Sequence, residues 1–207
     1  MSDIPAPSNP ERSELIERQQ ILDGFFQVEK LRLRHTLGRA GKWSPPLDRF
    51  LLYRPDAVCA VVYHRERRSL LFVRQFRVGS FQKDDGWMTE LAAGLVDPGE
   101  TPREAVLREL DEELGFRPQS LRQVRSFYTS PGILDERIFM FYAEVGEQDR
   151  VGKGGGRDEE HEDLEIIEVP ADGLSRWMTR QDLLDAKTIV GIQWFLTRSS
   201  PVTDATA

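Results

Sequence analysis

Glu109, Glu112 and Glu113 stand at i, i+3 and i+4 in the segment Pro102–Leu114, which the residue pattern predicts to be a helix. At that spacing the three carboxylates crowd onto one helix face. Like charges so placed destabilise a helix by roughly 0.2–0.5 kcal/mol per pair. Their position near the helix C-terminus adds an unfavourable interaction with the helix dipole. Arg108 can pair with Glu112 four residues on, which accounts for only one of the three. A hard divalent cation with oxygen ligands would relieve the repulsion. The competing reading is a solvated acidic face with no ligand.

The elements that must position these residues are well signalled. Thr101 and Glu104 form a Thr-x-x-Glu capping box at the helix start. Pro102 takes the first helical position, where its missing N–H costs nothing. Gly115 stands just past the end, suited to a left-handed cap. Val106, Leu107, Leu110 and Leu114 make the apolar face. Before the helix, Ala92-Ala93-Gly94-Leu95-Val96-Asp97-Pro98-Gly99-Glu100 reads as a tight loop leaving a strand.

Around this unit the pattern predicts strands at Ala57–Tyr63, Ser69–Gln75, Met88–Ala93, Arg122–Tyr128, Ile138–Val145 and Leu164–Val169, with helices at Ala171–Thr179 and Lys187–Thr197. Phe25–Leu33 and Phe50–Tyr53 flank a Gly- and Pro-containing stretch and read as a hairpin-like β element. Gly79–Trp87 reads as a polar loop, and Gly152–Gly156 as a flexible one. Strands and helices mix without strict alternation, so the expected class is α+β. The expected division is 1–54, an N-terminal tail and β element; 55–198, the main domain; and 199–207, a flexible tail.

Composition narrows the function classes. The 207 residues carry a formal charge of -7 with no basic stripe, against a general nucleic-acid binder. Acids concentrate twice: seven against two arginines from Asp97 to Glu113, and six against one from Arg157 to Glu165. The single cysteine, Cys59, lies in an apolar run and reads as a buried, inert thiol, and with three scattered histidines it gives no zinc-ligand spacing. No stretch has the length to span a membrane and the N-terminus lacks a secretory pattern, so a cytoplasmic protein is expected by elimination.

Gly94, Glu100, Arg108, Glu109, Leu110, Glu112, Glu113, Gly115 and Phe116 resemble the Nudix box at every specified position and spacing. The resemblance implies an α/β/α sandwich with a mixed sheet and hydrolysis of a nucleoside diphosphate linked to another moiety. It implies Mg2+, with Mn2+ possible in its place, held by Glu109, Glu112, Glu113 and the Ala93 carbonyl, with Arg108 orienting the carboxylates. Outside the box the chain from about Phe25 to Leu196 resembles the branch of ADP-ribose pyrophosphatases and nucleoside diphosphate sugar hydrolases. That likeness implies substrate contacts from Phe25, Phe26, Arg54, Arg77, Leu95, Pro131, Gly132 and Glu136. For Arg54 a surface ion pair is an equal alternative, and for one of the two phenylalanines core packing is preferred over base stacking.

The acidic loop then takes a role as well. Glu160 is the first candidate for the general base and Glu162 for a further metal ligand, with Glu159 and His161 as rivals. Related enzymes are homodimers, so a homodimer is expected, with no nucleic acid and no membrane partner. ADP-ribose is the preferred substrate on Ser130-Pro131-Gly132 and Glu136. GDP-mannose or a UDP-sugar stands next, on Gly154–Gly156 and Asp185–Thr188. A non-catalytic sugar-nucleotide-binding regulator and an acidic protein-interaction domain are the rivals from other classes.

Overall fold

A computed structural model describes residues 12–37, 41–157, 163–180 and 182–198. The chain forms two units, one of residues up to Arg54 with Tyr128–Glu136, the other of Pro55–Phe127 with the residues from Arg137 onward.

In the N-terminal unit, β1 (Ser13–Asp23), β2 (Gln27–Leu37), β3 (Lys42–Trp43) and β4 (Leu47–Tyr53) form an antiparallel sheet with β2 at its centre. The hairpin read from Phe25 to Tyr53 is therefore part of a larger sheet. Strand β1 was hidden because its sequence, Ser-Glu-Leu-Ile-Glu-Arg-Gln-Gln-Ile-Leu-Asp, lacks a clean period of two, and bulges near Ile16 and Ile21 explain why. All its residues are exposed. Phe25 and Phe26 sit in the β1–β2 turn at 95% and 44% exposure, so neither ring packs in a core, contrary to the sequence reading.

The larger unit is built on a mixed seven-stranded sheet. Its strands are β5 (Ala57–His64), β6 (Ser69–Phe76), β7 (Trp87–Glu90), β8 (Ala92–Leu95), β9 (Leu121–Tyr128), β10 (Arg137–Val145) and β11 (Glu165–Pro170). β5 lies parallel to β10 and antiparallel to β6, and β11 closes antiparallel on β6. β5 and β6 pair only from His64–Ser69 to Val62–Leu71, then part. β7 continues on β6 and β8 on β5, filling the gap. The predicted strand Met88–Ala93 is thus two strands serving different neighbours, broken at Leu91. There the Leu91 N–H leaves the ladder and donates to the Thr188 hydroxyl at 2.8 Å.

Alternation along β5 assigns the two cores. Val58, Ala60 and Val62 face one cluster, with Val106, Leu110 and Leu114 of the predicted helix. Ala57, Cys59 and Val61 face the other, with Leu174, Ile192 and Phe195 from C-terminal segments. The sheet is therefore covered on both faces, as expected of an α/β/α sandwich. The C-terminal cover is a 3-10 turn Ala171–Gly173 and the helices α3 (Leu174–Trp177) and α4 (Ala186–Thr197). The single helix read at Ala171–Thr179 is this turn running directly into one short helix. Numbering helices from the N-terminus, α1 (Val78–Asp84) occupies much of the predicted loop Gly79–Trp87 and ends at Asp85 in the left-handed region. Its seven residues bury nothing, so no apolar period announced it. Among the described residues no helix is long and apolar enough to cross a membrane.

Cys59 is fully buried, and burial pushes its thiol up to about 12. The thiol is therefore expected to resist an aromatic disulfide reagent at pH 8 in the native protein and to react once the chain is unfolded; rapid native reaction would show this face of the sheet to be open.

Candidate active site

The motif-bearing segment opens as designed by its sequence. α2 (Pro102–Glu109) starts on Thr101, whose hydroxyl accepts from the Glu104 N–H while the Glu104 carboxylate accepts from the Thr101 N–H at 2.8 Å. The same bonding to Thr101 lowers the Glu104 pKa. The helix does not continue as one α-helix to Leu114, as the pattern predicted. It widens into a π-helical turn over Leu110–Leu114 and stops at Gly115 in the left-handed conformation. Such turns gather at functional sites.

Arg108 organises the carboxylates more fully than its spacing from Glu112 suggested. One guanidinium nitrogen lies 2.7 Å from Glu109 and 3.3 Å from Glu112, and another 3.1 Å from Glu100 and 3.8 Å from Asp97. The latter also donates to the Leu95 carbonyl at 3.0 Å, tying the helix to the end of β8. Hydrogen bonding to Glu100, then the nearness of Glu109, raises the Arg108 pKa. In return Arg108 holds the Glu100 carboxyl below the usual carboxylate range. Glu113, 2% exposed, accepts from the Ala93 N–H at 2.9 Å. Arg157 approaches Glu112 at 3.8 Å. The sequence reading paired Arg108 with Glu112 by spacing and, through the resemblance, had it orient the carboxylates; it did not foresee the contacts with Asp97, Glu100 and the Leu95 carbonyl of the preceding loop.

Gly94 is explained by the same packing. A Cβ built on it would lie 1.8 Å from Glu109 Oε1 and 2.1 Å from its Cδ. The Glu109 carboxylate therefore rests directly on the β8 backbone, in space only glycine leaves open. This cradle and the hard oxygen donors of Glu109, Glu112, Glu113 and the Ala93 carbonyl fit a divalent cation in chemistry. Among the described residues no three Asp, Glu, His or Cys side chains converge as a metal's ligands do. Arg108 draws Glu109 and Glu112 to itself, and Glu113 turns to the Ala93 N–H.

The other sequence-predicted residues divide between the two units. In the N-terminal unit Arg54 pairs with Glu136 at 2.9 Å, so the two substrate candidates are each other's partners. Pro131 and Gly132 lie in an exposed turn closed by hydrogen bonds from the Ile133 and Leu134 N–H groups to the Ser130 carbonyl. In the larger unit Leu95 ends β8, with its side chain 37% exposed. Arg77 donates to Glu90 at 2.6 Å. Glu160 and Glu162, with their rivals Glu159 and His161, lie outside the described residues.

Glu90 is a residue the sequence reading passed over. It is 3% exposed, and besides Arg77 it takes the Lys187 ammonium at 3.0 Å. Lys187 also meets Asp185 at 2.7 Å, and Asp185 caps α4 through the Thr188 N–H and hydroxyl. Two cations thus converge on one buried carboxylate beside the β7–β8 break. The available signal was a glutamate inside the apolar run Met88–Ala93, which invites a buried partner. Desolvation opposes the charge of Lys187, but Asp185 and Glu90 prevail and raise its pKa.

Two outcomes follow from this geometry. Gly94→Ala is expected to fold, to displace Glu109, and to lower turnover of the cognate substrate by roughly a hundredfold; wild-type turnover would show that Glu109 has room to spare. Lys187→Met should lower stability by about 3 kcal/mol at neutral pH by stranding buried carboxylates. Because the folded pKa is raised, the lysine's contribution is complete below its ordinary 10.5 and is lost as pH climbs through the folded value. The gap between variant and wild type in denaturant melts should therefore close in strong alkali.

Comparison with known proteins identifies the family of the chain. Residues 53–195 match the NUDIX domain family. The chain is 31% identical over 185 residues to an ADP-ribose pyrophosphatase of Haemophilus influenzae, covering 87% of this chain and 84% of that one. It is 34% identical over 182 residues to a GDP-mannose pyrophosphatase of Cronobacter sakazakii, covering 87% and 93%. A crystal structure described as an ADP compounds hydrolase superposes with a TM-score of 0.67 at 20% identity, over 89% of this chain and 92% of that one, which shows the shared fold. With the box complete and its arginine and glutamates brought together by the fold, the chain belongs to the NUDIX family of pyrophosphohydrolases.

Proposed function

We propose that this enzyme hydrolyses ADP-ribose to AMP and ribose 5-phosphate, with Mg2+ as cofactor and Mn2+ able to replace it. The observation that carries the reading is the Arg108-centred carboxylate cluster resting on Gly94. Counting Asp97, Glu100, Glu109, Glu112 and Glu113 against Arg108 and Arg157, five carboxylates face two guanidinium groups. A local negative excess of this kind suits a hard divalent cation. Glu109, Glu112, Glu113 and the Ala93 carbonyl are its proposed holders, with Glu162 as a further one. Bound there, the cation would neutralise the diphosphate and polarise the phosphorus under attack.

The chain's own groups divide the remaining work. Arg108, held by Glu100, is free to keep Glu109 and Glu112 in register through the hydrogen bonds it already makes. Glu160 is the proposed base that takes a proton from the attacking water. Arg77, oriented by Glu90, offers a forked donor to an anionic oxygen. Phe25 and Phe26, exposed at a turn, present flat faces suited to a base, and Arg54, Leu95, Pro131, Gly132 and Glu136 are the further proposed substrate contacts.

GDP-mannose is the second reading. It is favoured by the 34% identity to the Cronobacter sakazakii protein, slightly above the figure for the ADP-ribose relative. A cytoplasmic homodimer is part of the proposal. The N-terminal sheet exposes Leu15, Ile16, Ile21, Leu22 and Phe50 at 46–52%, and exposed apolar side chains in such number invite a protein partner. A second copy of the chain is the proposed cover for them.

The deciding assay couples product release to a phosphatase, with ADP-ribose, GDP-mannose and UDP-glucose as substrates, in Mg2+ and in chelator. ADP-ribose is expected to turn over fastest and only with metal; preference for GDP-mannose would transfer the assignment to the second reading. Glu113→Gln should cut turnover by at least about a hundredfold while leaving the fold intact. Wild-type turnover in that variant would remove Glu113 from the metal-holding set.

A further inference from the structure

The run Gly152-Lys153-Gly154-Gly155-Gly156 reads from composition as a flexible linker, and the structure shows a different object. The Gly155 N–H donates to the Glu113 carbonyl at 2.9 Å, and the Gly156 N–H to the Glu112 carbonyl at 3.1 Å. On the same helix end, the Gly115 carbonyl takes the Val151 N–H at 2.9 Å and the Gly152 N–H at 3.2 Å. The far side of the run is closed by the Leu164 N–H on the Gly155 carbonyl at 3.2 Å. The run is therefore docked by its backbone onto the last turn of the glutamate-bearing helix.

We propose that Gly154–Gly156 is a clasp that sets this last turn, and with it the placing of Glu112 and Glu113 as cation ligands. The proposal rests on the metal-dependent reading above. Three physical features carry it. First, the carbonyls of a final helical turn have no partner inside the helix, and here two of them belong to the residues whose side chains are the proposed ligands. Second, the turn is π-helical, and the donors that take its outward carbonyls come from the glycine run. Third, these N–H groups stand at the negative end of the helix dipole, where they offset part of the cost of gathering glutamates there.

The approach is possible only without side chains. A Cβ on Gly154 would lie 2.5 Å from the Glu113 carbonyl oxygen and 2.6 Å from the Leu114 carbonyl carbon, both backbone atoms that cannot swing aside. Gly154 also has φ +68, where a side chain adds strain of its own. A generic surface cap would tolerate a looser fit. This one brings two backbones into direct contact behind the ligand-bearing residues.

The test uses the full chain and Mn2+ alone. Wild-type protein should bind Mn2+ in a titration followed by the electron paramagnetic resonance of the free ion, and absence of binding would overturn the metal-dependent reading itself. Given binding, Gly154→Ala is expected to weaken Mn2+ affinity about ten- to a hundredfold, the range for groups that orient metal ligands, alongside a lower metal-free melting temperature from the strain at this position. Wild-type affinity in a variant whose Gly155 and Gly156 amides have lost their exchange protection would overturn the proposal, as would a lowered melting temperature with unchanged affinity. Should the variant fail to fold, the wild-type protein decides. Coupling is reciprocal, so Mn2+ saturation should slow hydrogen exchange at Gly155 and Gly156, and unchanged exchange there would overturn the clasp.

Discussion

Arg108 is the interaction on which the rest of the site depends. Its guanidinium touches carboxylates from the helix and from the loop before it, and it also binds the Leu95 carbonyl at the end of β8. Without that cation the helix would end in adjacent negative charges at the pole of its dipole that already disfavours them. With it, the turn holds Glu109 and Glu112 close enough to act together. Arginine suits the position because its planar fork can serve several acceptors at once, whereas a lysine would offer a point charge to fewer. The Gly94 cradle completes the constraint, since Glu109 can lie against β8 only where no side chain intervenes.

The sheet supplies the stage for this arrangement. β5 and β6 begin as a hairpin and part, and the gap is taken by β7 and β8, which change neighbours at Leu91. That change of neighbour puts Ala93 and Gly94 against β5, beneath the ligand-bearing helix, and Glu90 against β6, beside Arg77. The broken ladder is repaired from the C-terminal segment: Thr188 takes the Leu91 N–H, and Lys187 takes Glu90. A contact between residues nearly a hundred positions apart thus stabilises the point at which the sheet hands the chain to the site. Buried charge of this kind is costly unless fully paired, and here Asp185, Lys187, Glu90 and Arg77 pair in sequence.

Several elements were legible because their determinants are local. The capping box, the proline behind it and the C-terminal Gly115 located the helix to within a residue at its start. The apolar run Ala57–Tyr63 marked β5 to within one residue of its end. What escaped was non-local or lacked a period. Helix α1 buries no side chain and so left no apolar rhythm. Strand β1 is bulged and wholly exposed. The π turn was not announced by the residue pattern, and the donors that meet two of its carbonyls arrive from a distant loop.

The sequence by itself determined the chemistry: which carboxylates, at what spacing, before which glycine and behind which arginine, because side-chain identity and helical period are properties of the linear chain. The tertiary structure decided which of those groups touch. It added Glu100 and the Leu95 carbonyl to the partners of Arg108, because β8 and its loop fold back beside the helix. It turned Gly152–Gly156 from an apparent linker into a docked backbone segment, because the helix end offers carbonyls that only close-approaching N–H groups can reach. It joined Glu90 to Lys187, because the break at Leu91 and the start of α4 meet across the sheet. Each of these contacts joins positions that the helical period alone does not bring together, and packing brings them within bonding distance.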